Sequence, residues 1–131
     1  ATFALGETLS LTKVLDRRIA SYSLGMRQKL GIMLGLIGEP PLLLLDEPFN
    51  GLDPRSALAF KTHLTAMVAH GSTSVLLATH SLDVVERYAT QALLLLDGRL
   101  RQAWDANELA ALRDHPVRSL EQAMADACAA T

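Results

Sequence analysis

Two adjacent carboxylates follow a short apolar run, and this pair is the strongest chemical signal in the sequence. The run Leu42–Leu45 is followed directly by Asp46 and Glu47. At the end of a strand, the first acid can hold Mg²⁺, directly or through water. The second acid can orient or deprotonate an attacking water. The pair indicates a metal-assisted phosphate site, although the same residues also suit a strand that ends in an acidic turn or helix cap.

Three further segments carry residue types that suit phosphate chemistry. Ser23 precedes a helical segment, and free N–H groups at a helix N-terminus favour an anion. The Ser23 hydroxyl and the amides of Leu24 and Gly25 can therefore face a phosphate. The loop Asn50–Asp53 follows the acid pair, and His80 follows a second apolar strand. Taken alone, Ser23 is as often an ordinary helix cap, and a histidine such as His80 after a strand is more often a polar loop residue.

Hydrophobic periodicity and turn residues predict strands that alternate with helices around these positions. The predicted strands are Leu42–Leu45, Ser74–Ala78, Gln91–Leu96 and Arg99–Trp104. The predicted helices are Glu7–Ile19, Leu24–Ile37, Pro54–Gly71, Ser81–Tyr88, Asn107–Arg113 and Ser119–Ala129. We expect an α/β fold whose first two strands are buried on both faces of a parallel sheet. Ligands of such sheets bind beyond the carboxyl ends of the strands, where Asp46, Glu47 and His80 stand.

Composition narrows the class of protein. The 131 residues suffice for one modest domain, and half of them are hydrophobic, which indicates a folded core. A net charge of -2 without a basic block argues against a nucleic-acid partner. The single cysteine, Cys128, has no partner for an internal disulfide, so a reducing compartment is expected. The longest apolar stretch, Leu30–Ile37, is too short for a bilayer span of about 20 residues.

The order and spacing of these segments resemble the ABC transporter ATPase family, from about Ser10 to the end of the chain. The segment Tyr22–Lys29 resembles the signature motif, and Asn50–Asp53 resembles the D-loop. Asp46 and Glu47 correspond to the two acids of Walker B, and His80 corresponds to the switch histidine.

The resemblance implies ATP and Mg²⁺ as ligands and assigns a role to each matching residue. Asp46 would bind the metal, while Glu47 and His80 would be catalytic. Nucleotide contacts would come from the signature motif and the D-loop, through Ser23, Leu24, Gly25 and Asp53. In the family, the signature motif contacts ATP that is held mainly by a second ATPase domain, across a head-to-tail dimer.

The fold implied by the resemblance is a partial P-loop ATPase core, a parallel sheet flanked by helices. Residues 1–38 would form part of the helical subdomain with the signature helix. Residues 39–98 would form the partial core, and residues 99–131 a C-terminal strand and helices. The signature motif departs from its commonest form, Leu-Ser-Gly-Gly-Gln, because Tyr22, Leu24 and Met26 replace three of its residues. Similar forms are familiar in ABC-2-type export ATPases, which favours an exporter.

The phosphate-binding loop, Gly-x-x-x-x-Gly-Lys-Ser/Thr, does not occur in this sequence. The three lysines are Lys13, Lys29 and Lys61, and none follows a glycine. No glutamine precedes Ser23, so the family's Q-loop is also missing. We expect an N-terminal truncation that leaves this chain inactive alone. Lys29 itself is expected to be a solvated charge on the exposed side of its helix.

Two classes of function follow. The favoured one is the C-terminal part of an ATPase that powers a membrane exporter, peripheral on the cytoplasmic face of the plasma membrane. Its partners would be a transmembrane permease, a second ATPase domain and the missing N-terminal portion. The alternative is a non-catalytic binding or regulatory module that supplies Ser23 to a complete ATPase. A third option, a chromosome-maintenance or repair ATPase, is disfavoured because no heptad run occurs here.

Overall fold

The computed structural model describes residues 5–7, 9–71, 73–115 and 119–129. The chain divides into two compact units, Ala1–Thr79 and His80–Thr131. Within the described residues, no helix is both long enough and apolar enough to cross a membrane.

The first unit contains a two-stranded parallel sheet joined by a helical crossover. Helix α1 spans Leu24–Gly35, strand β1 Leu42–Asp46, helix α2 Pro54–Ala69 and strand β2 Ser74–Ala78. The strands pair in register from Leu42 opposite Ser74 to Asp46 opposite Ala78. The residues at its ends explain the bounds of α2, because Asp53 caps the helix, Pro54 begins it and Gly71 follows it at a positive φ. Both strands form where the sequence predicts them.

The core of the first unit lies on one side of this sheet. Phe60 of α2 is fully buried, and its ring lies 5.7 Å from the ring of Phe49 in the loop after β1. The other buried members come from the N-terminal segment, α1, β1 and α2: Leu5, Leu9, Leu11, Ile32, Leu36, Leu43 and Leu64.

The prediction that both strands are buried on two faces is wrong. Leu43 faces the core, whereas its neighbours Leu42 and Leu44 are exposed, as is Leu76 of β2. Side chains alternate across a strand, so these three leucines share the second face of the sheet. The apolar run predicts a buried strand, but burial also needs an element on each face, and the described elements of the first unit cover only one.

The predicted helix Glu7–Ile19 is also wrong. Residues 5–7 are helical, but Ser10 has a φ of 58°, which a right-handed helix cannot contain. Short 3₁₀ turns follow at Thr12–Val14 and Ile19–Ser21. The buried Tyr22 fixes this segment by donating its hydroxyl to the Val14 carbonyl at 2.7 Å. The four-residue spacing of Leu11, Leu15 and Ile19, on which the predicted helix depended, therefore does not mark one helical face.

The second unit combines a hairpin with three helices. Helix α3 spans Leu82–Tyr88, strands β3 and β4 span Ala92–Leu96 and Arg99–Trp104, and helices α4 and α5 span Ala106–Asp114 and Leu120–Ala129. The two strands pair antiparallel across a turn in which Asp97 and Gly98 both have positive φ, as an Asp-Gly hairpin requires. The core of this unit consists of Trp104, Leu109, Leu120 and Ala123.

Candidate functional site

The acid pair lies at the carboxyl end of β1. Asp46 is the last residue of the strand and is exposed on the same face as Leu42 and Leu44. A lone exposed carboxylate suits Mg²⁺, which keeps several water ligands and binds proteins through one or two carboxylates. Among the described residues, no group of three or more His, Cys, Asp or Glu side chains could enclose a metal. We therefore expect that a metal ion bound by Asp46 would take its other ligands from water and phosphate oxygens.

Glu47 is held by its backbone and by its carboxylate. Its N–H donates to the Ala78 carbonyl at 2.9 Å, and its Oε2 accepts from Thr79 Oγ1 at 3.3 Å. Its φ is 42°, a left-handed conformation that costs a non-glycine residue about 1 kcal/mol or more. The carboxyl ends of paired parallel strands share one edge, which is why Thr79 reaches Glu47. The second acid is thus half-buried and oriented, whereas Asp46 is open to solvent.

The loop after the acids is a series of tight turns. The Asn50 N–H donates to the Glu47 carbonyl, and the Leu52 N–H donates to the Phe49 carbonyl, both at 3.2 Å. Gly51 has a φ of 77°, a conformation that glycine adopts without steric cost. Phe49 anchors the loop to the core, and the Lys61 ammonium lies 5.2 Å from the centre of its ring.

Asp53 ends this loop and begins α2. Its Oδ1 accepts from the Ser56 N–H at 2.9 Å, and its Oδ2 accepts from the Ser56 hydroxyl at 2.7 Å. Oδ2 also pairs with the Lys29 ammonium at 2.7 Å. The hydrogen bond from Lys29, followed by those from Ser56, holds the pKa of this carboxyl well below its ordinary value. Both carboxylate oxygens of Asp53 are therefore engaged within the chain.

Ser23 stands at the N-terminus of α1, as predicted. Its Oγ accepts from the Met26 N–H at 3.3 Å, which leaves the hydroxyl proton to donate elsewhere. Ser23 and Leu24 are exposed, so the first turn of the helix is open to a ligand. Gly25 is different, because a Cβ at this position would lie 2.9 Å from the Gly51 carbonyl oxygen. Glycine here allows the helix and the loop to approach closely.

The first unit brings together the signature-like helix, the acid pair and the loop between Glu47 and Asp53. His80 is exposed and begins the second unit, two residues after the end of β2. The expectation that Lys29 is a solvated charge is wrong, since its side chain is only 15% exposed and is paired with Asp53. Positions 25, 28 and 29 share one helix face at spacings of three and four residues, which could have revealed this role.

Comparisons with known proteins agree with this arrangement. A family model described as "AAA domain, putative AbiEii toxin, Type IV TA system" matches residues 9–86. An uncharacterised ABC transporter ATP-binding protein, YdbJ of Bacillus subtilis, is 39% identical over 95 residues, which are 72% of this chain and 31% of YdbJ. The bacitracin transport ATP-binding protein BcrA of Enterococcus faecalis is 34% identical over 103 residues, 79% of this chain and 33% of BcrA.

A solved structure of an ATP-binding subunit of an ABC transporter superposes with a TM-score of 0.83 at 30% identity, over 95% of this chain and 52% of that one. The chain thus spans about a third of the two relatives and about half of the solved subunit. The matched model and the fold define an AAA-type ATPase domain. Within that class, the chain belongs to the ATP-binding proteins of ABC transporters.

Proposed function

We propose that this chain is the C-terminal part of the ATP-hydrolysing subunit of an ABC exporter. The observation that carries the proposal is the acid pair at the carboxyl end of β1, with Asp46 open to solvent and Glu47 held by Ala78 and Thr79. BcrA is named as a bacitracin transport protein, which supports a role in transport. The Ser-Leu-Gly form of the signature motif, familiar in ABC-2-type export ATPases, favours export. The partners would be a transmembrane permease and a second ATPase domain.

The two acids would divide the chemistry between them. Mg²⁺ supplies charge neutralisation on the phosphates when bound, and Asp46 would hold it with water. Glu47 would accept a proton from the water that attacks the terminal phosphate of ATP. The hydrogen bond from the Thr79 hydroxyl to Oε2 would help to orient the Glu47 carboxylate for this step. His80 would contact the terminal phosphate, on the strength of its place in the motif order.

The N-terminal end of α1 would act on a different nucleotide. Ser23 and the amides of Leu24 and Gly25 would contact ATP held mainly by the second ATPase domain. The exposure of Ser23 and Leu24 supports this role, since a ligand can reach the helix end from outside the unit. In this arrangement each domain contributes acids to one nucleotide and a helix end to the other.

The test uses this chain joined to the N-terminal part of an ABC ATPase that carries the phosphate loop, called here the joined protein. Glu47→Gln should retain ATP binding but lower turnover by about 10²–10⁴-fold, because the amide cannot accept a proton. Asp46→Asn should also weaken Mg²⁺-dependent binding. Asp97→Asn removes a carboxylate from the β3–β4 turn and serves as the matched control. Normal ATP hydrolysis by both acid variants would overturn the proposal.

The alternative, a non-catalytic module that supplies Ser23 to a complete ATPase, rests on the missing phosphate-loop sequence. The coding DNA separates the two functions. A glycine-rich phosphate loop encoded upstream in the same frame favours the ATPase part. An initiation codon at this position favours the module.

A further inference from the structure

Three contacts join helix α1 to the loop that follows the acid pair. Gln28 Nε2 donates to the Pro48 carbonyl at 3.2 Å, and Lys29 Nζ pairs with Asp53 Oδ2 at 2.7 Å. Between them, Gly25 lies so close to Gly51 that a Cβ would stand 2.9 Å from its carbonyl oxygen. The contacts fall at the start, the middle and the end of the loop. The loop is therefore fixed to one face of α1 along its whole length.

The ion pair between Lys29 and Asp53 is the only one of these three contacts that involves charged groups, and both of its partners are held in place. The Lys29 side chain is 15% exposed, whereas that of Asp53 is 51% exposed. The Ser56 N–H and hydroxyl hold the Asp53 carboxylate at the start of α2. The hydrogen bond from Lys29, followed by those from Ser56, lowers the pKa of Asp53, so the carboxylate stays ionised further into the acid range than an ordinary aspartate does. A pair that is this open to solvent contributes little to stability, so its main effect is on the position of the loop.

The loop leads directly back to Glu47. The Asn50 N–H donates to the Glu47 carbonyl, while the Glu47 N–H donates to the Ala78 carbonyl. Glu47 is thus held in its left-handed conformation from the sheet on one side and from the loop on the other. If the loop moved away from α1, the Asn50 N–H would no longer be held in place to donate to the Glu47 carbonyl. The backbone of Glu47 could then relax toward ordinary φ and ψ angles.

We propose that Lys29 is a positioning residue that fixes Glu47 through Asp53 and the loop between them. The inference rests on the proposed function, since it assigns Lys29 a part in hydrolysis by Glu47. On this proposal, α1 and the loop that follows the acid pair move together as one rigid unit.

The first test measures amide hydrogen exchange in the 131-residue chain. Lys29→Met should speed exchange at Asn50 and Leu52 about tenfold while leaving β1 and β2 unchanged. Lys29→Arg should retain the slow exchange of the wild type, because the guanidinium can pair with Asp53. Asp53→Asn keeps a capping oxygen but removes the charge, so it should reproduce Lys29→Met. Lys13→Met is the control, since Lys13 is exposed in a 3₁₀ turn.

The second test measures turnover in the joined protein. Lys29→Met should lower kcat about tenfold and change KM less than about twofold, because a misplaced base affects the chemical step more than binding. Unchanged exchange at Asn50 and Leu52, or a normal kcat, would overturn the positioning role. Faster exchange throughout β1 and β2 would equally count against it, as a general loss of stability. Normal turnover by Glu47→Gln would instead overturn the proposed function.

Discussion

Adjacent leucines of β1 offer a direct test of the one-sided sheet. Leu43 is 5% exposed and packs in the core of the first unit, whereas Leu44 is 65% exposed on the opposite face. Each can be replaced by alanine in the same strand, so backbone effects are matched. The difference between the two variants then reports the burial of each face.

The expected magnitudes follow from burial. Leu43→Ala leaves a cavity beside Phe60 and should lower the free energy of unfolding by about 2–5 kcal/mol. Full burial of a leucine side chain contributes about 1.5–3 kcal/mol, and Leu44 is buried over about a third of its surface, so Leu44→Ala should cost about 0.5–1 kcal/mol. A small domain has a total stability of roughly 5–15 kcal/mol, so Leu43→Ala should unfold at a much lower urea concentration than Leu44→Ala or be unfolded without urea.

The assay is urea denaturation of the 131-residue chain followed by circular dichroism at about 2 and about 200 μM, concentrations about a hundredfold apart. We also expect the chain to self-associate through the outer edges of β1 and β2 and to be marginally stable as a monomer. A Leu44→Ala cost that appears only at the higher concentration would show that association covers this face. An equal cost for both variants at the lower concentration would refute the one-sided sheet. Strong, concentration-independent amide protection of both strands in a monomer would refute the expected association.

Further predictions concern activity and pH. The chain alone should hydrolyse no ATP, because its sequence lacks the loop that positions the phosphates, and positioning and charge neutralisation supply most of the catalysis. Multiple turnover that Glu47→Gln abolishes would contradict this prediction. In the joined protein, Ser23→Arg should block hydrolysis yet leave nucleotide binding by the dilute monomer nearly intact, and an equal loss of that binding would exclude action on a second domain's nucleotide. Because the folded-state pKa of Asp53 is lowered, its small contribution to stability should be present above the unfolded-state pKa of about 3.9 and should diminish as the pH falls from there through the lower folded-state pKa. The melting temperature of Asp53→Asn should therefore fall less than that of the wild type between pH 6 and pH 3, and parallel curves would disprove the linkage.

Local sequence patterns predicted most of the elements that position the site. The β1 acids, the Asp53-Pro54 start of α2 and the Asp97-Gly98 hairpin are set by residues that are neighbours in the chain, so short patterns suffice to find them. The pairing of Lys29 with Asp53 joins residues 24 positions apart and depends on how α1 packs on the loop. The exposure of Leu44 was equally hidden, because an apolar strand does not reveal whether a second layer covers it.

The hydrogen bond from the Thr79 hydroxyl to the Glu47 carboxylate joins the two ends of the segment 47–79, which makes this part of the chain a closed ring. The ring runs through the loop, α2 and β2, and Asp53 joins its loop to its helix. The number of residues between Glu47 and Thr79 is therefore constrained by the hydrogen bond between them. A one-residue deletion in α2 would rotate the remainder of the helix by about 100°, which would turn Phe60 or Leu64 out of the core and displace Thr79 from Glu47. A change in length should be tolerated better at the exposed turn of His70 and Gly71, which follows the end of α2 and contributes no residue to the core.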